Sequence, residues 1–163
     1  MKRWRRCALA AAVAAGALQA SAVRAATTSA TLALQVEVVG GCEVGDASLD
    51  FGTYQSGQAD DLVVNTRLVL SNCTVDSVVV ELDGGQAGDT RGRRLTGPGG
   101  ATLSYQLFKG PNLGNMFGNN GDGRTIDMTG RTSLNVPVYG RIRGGQTVPS
   151  GTYTDTINVT LTF

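Results

Sequence analysis

After the first 25 residues, the 163-residue chain keeps two cysteines and one lysine, and it has no histidine anywhere. That inventory limits its chemistry. Without an imidazole there is no Ser-His-Asp or Cys-His arrangement, and the commonest metal ligand is missing too. A Ser-Lys pair has the single candidate Lys109. Carboxylates do stand close together, at Asp60-Asp61 and at Glu81 and Asp83, and two carboxyls flanking a bond is the glycosidase arrangement. Asp60-Asp61 reads as a turn ahead of a strand, and Glu81 and Asp83 share the outward face of theirs, so both pairs read as solvated surface. The expectation is a protein that is not an enzyme and holds no metal or cofactor.

Cys42 and Cys73 carry the remaining chemistry. A basic start (Lys2, Arg3, Arg5, Arg6), an Ala-rich apolar run over 7–20 and small residues through Ala25 make residues 1–25 a secretory signal peptide. Cleavage is expected after Ala25, with Ala22 the alternative. Export to an oxidising compartment makes a Cys42–Cys73 disulfide the default over a catalytic thiol or a metal site. Closing that loop is worth about 3 to 4 kcal/mol in the chain-entropy model. Removal of the leader takes five basic residues and no acidic ones, leaving nine against 13, a formal −4. A mildly acidic chain with no basic cluster larger than Arg91, Arg93 and Arg94 gives no case for nucleic acid.

The elements that must position these residues are strands. Short aliphatic or β-branched runs at 31–39, 62–70, 75–82, 102–108, 134–142 and 153–163 alternate with Gly, Asn, Asp and Pro, and a shorter run lies at Leu49–Tyr54. No segment carries a helical period, so the class is all-β, a sandwich or barrel. Residues 83–100 and 109–131 read as irregular. Their glycines fit tight turns, and neither a phosphate cradle nor a calcium loop can be built from them.

Two runs are distinctive. In T-L-A-L-Q-V-E-V-V, residues 31–39, Leu32, Leu34, Val36 and Val38 fall on one parity. In the last run Tyr153, Ile157, Val159, Leu161 and Phe163 share a face that only Asp155 interrupts, and the chain is expected to stop while still a strand. Read from the residues alone, 31–39 is an ordinary first strand.

Several blocks resemble the spore coat protein U domain family, which includes Csu-type subunits of archaic chaperone-usher pili. They are Gly41-Cys42-Glu43-Val44, Leu49-Asp50-Phe51-Gly52-Thr53-Tyr54 and Ser71-Asn72-Cys73-Thr74, followed by Leu103-Ser104-Tyr105-Gln106-Leu107-Phe108 and Gly121-Asp122-Gly123. Most specific is Val138-Tyr139-Gly140-Arg141-Ile142 with the later Tyr153-Thr154-Asp155. Phe117 stands where family members often carry Trp.

The resemblance implies an incomplete immunoglobulin-like β-sandwich over 41–163, completed by a donor strand from a neighbouring subunit. Residues 26–40 would be the donor segment, with Leu32, Leu34, Val36 and Val38 as its knobs. The C-terminal edge strand, with Tyr153, Ile157, Val159, Leu161 and Phe163, would line the receiving groove. The implied partners are like subunits, a periplasmic chaperone and an outer-membrane usher, and the implied location is a surface fimbrium reached through the periplasm, serving adhesion and biofilm formation. A monomeric secreted coat or carbohydrate-binding domain is the alternative.

Overall fold

The computed structural model describes residue 33 and residues 35–163. The expected signal peptide and the knobs Leu32 and Leu34 lie outside the described residues. Residues 38–163 form one compact unit.

Eight strands make it: β1 (Glu43–Val44), β2 (Leu62–Ser71), β3 (Ser77–Leu82), β4 (Arg94–Thr96), β5 (Thr102–Phe108), β6 (Arg124–Asp127), β7 (Leu134–Ile142) and β8 (Val159–Thr162). A five-stranded sheet runs β1-β2-β7-β5-β4, and a three-stranded sheet runs β6-β3-β8. Every pairing is antiparallel. The two sheets share one apolar core, as a β-sandwich does.

Period-two alternation decides which side chains fill that core. In β2, Leu68 and Leu70 are buried, while Val63 and Val69 on the other parity are exposed. Register places Leu68 opposite Val136 and Leu62 opposite Ile142 on β7. Val78, Val80 and Leu82 of β3 close the core from the second sheet. Phe117 is fully buried among them, so the smaller ring still serves as core. Cys42 is disulfide-bonded to Cys73, with Cα atoms 4.1 Å apart.

Several features differ from the sequence reading. The 153–163 run is a strand only over Val159–Thr162, with an isolated bridge between Thr154 and Thr96. Leu49–Tyr54 forms no strand, and neither do the described residues of 31–39. β4 and β6 lie inside segments read as irregular, because three or four residues among glycines are too few to show a period. β3 starts at Ser77, after a bend at Val75 and Asp76.

One glycine explains how an irregular segment packs on the sheet. A Cβ on Gly140 of β7 would lie 2.5 Å from Leu49 Cδ2 and 2.7 Å from the Phe51 ring. Its absence lets 49–51 press directly onto the backbone of the inner face.

The disulfide holds the start of the sandwich to the end of β2. Replacing both cysteines by Ala is expected to lower stability by about 3 to 4 kcal/mol, read as a shift in the urea midpoint.

Candidate functional site: an open groove between the sheets

The sandwich is open along one side, between the segment that follows β1 and the segment that leads into β8. β1 pairs with β2 alone and β8 with β3 alone. One wall of the opening is the irregular segment 44–56, and the other is 148–159. Two adjoining cavities of about 630 Å³ and 720 Å³ run along it. Thr66, Leu68, Leu107 and Val138 floor the first, and Leu95, Leu103 and Ile142 lie under the second.

Incomplete burial marks this trough. Leu49, Phe51, Leu95, Tyr153, Ile157 and Val159 pack against the core yet remain half-buried. Of the predicted edge-strand residues, the structure brings Tyr153, Ile157 and Val159 into the groove lining. Leu161 packs on the core but lies outside that lining, and Phe163 is past the strand end and 59% exposed. Val36 and Val38 are 84% and 86% exposed and unpaired.

The wall at 153–159 is held by Asp83, which sequence reading assigned to solvent, and by Asp155, read there only as an interruption of the apolar face. At Thr154 the chain exchanges two backbone hydrogen bonds with Thr96 of the first sheet, at 2.8 Å and 3.0 Å. By Val159 it pairs with Leu82 of the second. Between these points the main chain keeps one bond, from the Asp83 N–H to the Asn158 carbonyl at 3.1 Å, and two carboxylates accept the Thr156 and Asn158 N–H groups. Asp155 Oδ1 accepts from Thr156 N at 2.8 Å and Gln86 N at 2.9 Å. Asp83 Oδ1 accepts from Asn158 N at 3.0 Å and Gly85 N at 2.9 Å, and its Oδ2 accepts from Asn158 Nδ2 at 2.6 Å.

Behind them sits Arg93, completely buried. Its Nε donates to the Asp83 carbonyl (2.9 Å) and Nη1 to the Phe117 carbonyl (2.9 Å), while Nη2 donates to Leu82 and Asp83 carbonyls (2.9 Å and 2.6 Å). The fork thus ties β3 to the loop before β6 at the groove's end. Burial lowers the guanidinium's pKa, and the neighbouring Tyr105, Asp83 and Asp155 oppose that. It stays charged, as arginine does in proteins. Tyr105, buried, donates its hydroxyl to Asp155 Oδ2 at 2.7 Å. Burial pushes the phenol well above its ordinary range, and the bond to Asp155 adds to this.

A second clamp lies at the far end. Gln146 accepts the Ser104 N–H at 2.8 Å and donates to the Ser104 carbonyl at 3.0 Å, standing in for a strand residue beside β5. Tyr54 Oη accepts the Gln146 N–H at 2.9 Å, which fixes the 44–56 wall to the turn after β7. Neither contact was legible beforehand, since single Gln and Tyr residues in loops carry no pattern.

Among the described residues there is no grouping of three or more His, Cys, Asp or Glu able to hold a metal ion. The arrangement is an apolar trough with unpaired strand edges, and it is suited to receiving an extended segment of polypeptide.

The family model for the Spore Coat Protein U domain matches residues 28–160. The chain belongs to that family. Within the Spore Coat Protein U domain family, it is similar to Protein U of Myxococcus xanthus, 36% identical over 180 residues that cover 96% of this chain and 97% of that protein. Among solved structures it resembles a chain of the CsuC–CsuE chaperone–tip adhesion subunit pre-assembly complex from the archaic chaperone-usher Csu pili of Acinetobacter baumannii. The TM-score is 0.56 at 23% identity, covering 77% of this chain and 40% of that one. The P pilus rod subunit PapA gives 0.49 at 19% identity, covering 74% and 97%. The Csu likeness shows that this spore coat protein U domain shares its fold with a chain of that complex.

Two outcomes test the polar anchor. Replacing Arg93 by Met orphans three carbonyls and is expected to cost about 3 to 5 kcal/mol in urea unfolding. Lys restores little, lacking the fork. The second outcome concerns pH. Burial alone would raise the pKa of Asp83, but the Gly85 and Asn158 donors and the Arg93 charge reverse this and hold it below 3.8. A carboxyl depressed in the folded state contributes stability that is present above its unfolded pKa and is lost as pH falls through the folded one. Stability should therefore drop below about pH 4, and Asp83→Asn should reduce that slope. Asp127, held low by the Thr129 hydroxyl and amide, keeps a residual slope in the same window.

Proposed function

We propose that this chain is a structural subunit of a surface pilus, assembled by the chaperone-usher route through donor-strand exchange. One observation carries the reading. An apolar groove lies open between the segment that follows β1 and the segment that leads into β8, in a chain that also has an amphipathic nine-residue segment whose described knobs are unpaired and exposed. A strand laid along the trough beside the segment that leads into β8 would find unpaired main chain there, and alternate side chains would fill the trough.

In this reading residues 31–39 of one subunit enter the groove of the next, with Leu32, Leu34, Val36 and Val38 pointing inward. Four aliphatics at about 1.5 to 3 kcal/mol each give a gross burial of about 6 to 12 kcal/mol, before the cost of ordering the strand. Donation of this kind is head-to-tail and does not close on itself, so it builds a filament. The Csu neighbour is a chaperone–subunit complex. By analogy a periplasmic chaperone fills the groove first, and an outer-membrane usher exchanges it for the next donor. The filament would then stand on the cell surface and support adhesion and biofilm formation.

Surface-sheared material run unheated and boiled on a denaturing gel tests this. The intact chain should give a ladder that collapses on boiling, and deletion of 27–39 should remove the ladder. Leu34→Asp or Val36→Asp should also abolish it while leaving folded monomer with the chaperone. A folded, exported monomer with no ladder from the intact chain would instead indicate a self-contained secreted coat or binding domain.

A further inference from the structure

We propose that Asp155 sets the register of the strand that fills the groove, by admitting only a short or hydrogen-bond-donating side chain at its own position. The inference rests on the donor-strand reading and adds a specificity residue to it.

An apolar trough by itself leaves the register of its occupant ambiguous. Slipping a strand by one residue turns every knob to the wrong face and is strongly disfavoured. Slipping by two, about 6.6 to 6.8 Å, returns every knob to the inside. The even-numbered series of the donor segment is Ala30, Leu32, Leu34, Val36, Val38. Four aliphatics in a row make two-residue slips nearly equivalent against a uniform wall.

The wall is not uniform. Its inward series is Tyr153, Asp155, Ile157, Val159, and Asp155 lies where the two cavities adjoin, lining both. The carboxylate is also fixed in place. Oδ1 is filled by the Gln86 and Thr156 N–H groups, and Oδ2 takes the Tyr105 hydroxyl. Each carboxylate oxygen has two acceptor sites, so one on Oδ2 is left. The carboxylate packs against Gly85, in the space that a Cβ there would fill. An aliphatic knob seated over this group would strip its water without replacing the hydrogen bond, at a cost that an apolar neighbour does not impose. A single polar group in an apolar seam fixes register in coiled coils by the same physics.

The test is a lysine scan of Ala30, Leu32, Leu34, Val36 and Val38, one per full-length chain, read by the heat-sensitive ladder. A single position is expected to keep its ladder with Lys, and the others are expected to lose theirs. Carbodiimide treatment of that polymer should join the new lysine to Asp155 of the neighbouring subunit, identified by peptide mass mapping. Adding Asp155→Asn to the same chain should abolish its ladder. The cross-link is read with Asp155 intact, so it does not depend on how that variant folds. No tolerated lysine, several tolerated lysines, or a link to Asp46 or Asp50 instead would each overturn the register role. Absence of a ladder from the unmodified chain would overturn donor exchange itself, whereas a normal ladder with the wrong lysine pattern overturns only the role of Asp155.

Discussion

The final strand has to serve two sheets. It bridges β4 at Thr154 and pairs with β3 from Val159 onward, and between these points only the Asp83 N–H to Asn158 carbonyl bond ties its main chain to a sheet. The Thr156 and Asn158 N–H groups have no ladder partner there, and side-chain acceptors take them. Asp155 and Asp83 are those acceptors. Each also takes an N–H from the 85–87 turn, which fastens that turn beside the crossing.

Arg93 follows from the same constraint. The buried guanidinium lies near the carboxylates of Asp83 and Asp155 and attracts their negative charge. Its own donors go to main-chain carbonyls rather than to the carboxylates, so one side chain supplies charge to the crossing and hydrogen bonds to the ends of β3 and the Phe117 loop. With the last strand held this way its free edge faces the groove, and the opening persists as a preformed shape lined by half-buried apolar side chains.

Long alternating runs were readable: β2, β5 and β7 lie where their periodicity puts them, because each has one face in the core. The end of the chain was read as one strand, since parity alone cannot register a change of partner sheet. Its inward parity nevertheless holds through Tyr153, Asp155, Ile157, Val159 and Leu161, all half-buried. Asp155 was seen only as an interruption of an apolar face, and Asp83 as solvated. Their roles depend on Arg93 and Tyr105, which are distant in sequence and meet them only through the sheets. The Tyr-Gly-Arg block was recognisable as a family feature, while the reason for its glycine, the approach of Leu49 and Phe51 to the β7 backbone, needed coordinates.

The Cys42–Cys73 bond also has a mechanical meaning. β1 contributes only two residue pairs to the sheet, Glu43 with Ser71 and Val44 with Leu70. A pull on the chain ahead of Cys42 would peel so short a strand one hydrogen bond at a time. The disulfide sends that tension covalently to Cys73, at the end of β2, which is paired with β7 along nine positions. Force then acts along a long antiparallel ladder in shear, where many hydrogen bonds must fail together, and the weakest strand of the sandwich is spared.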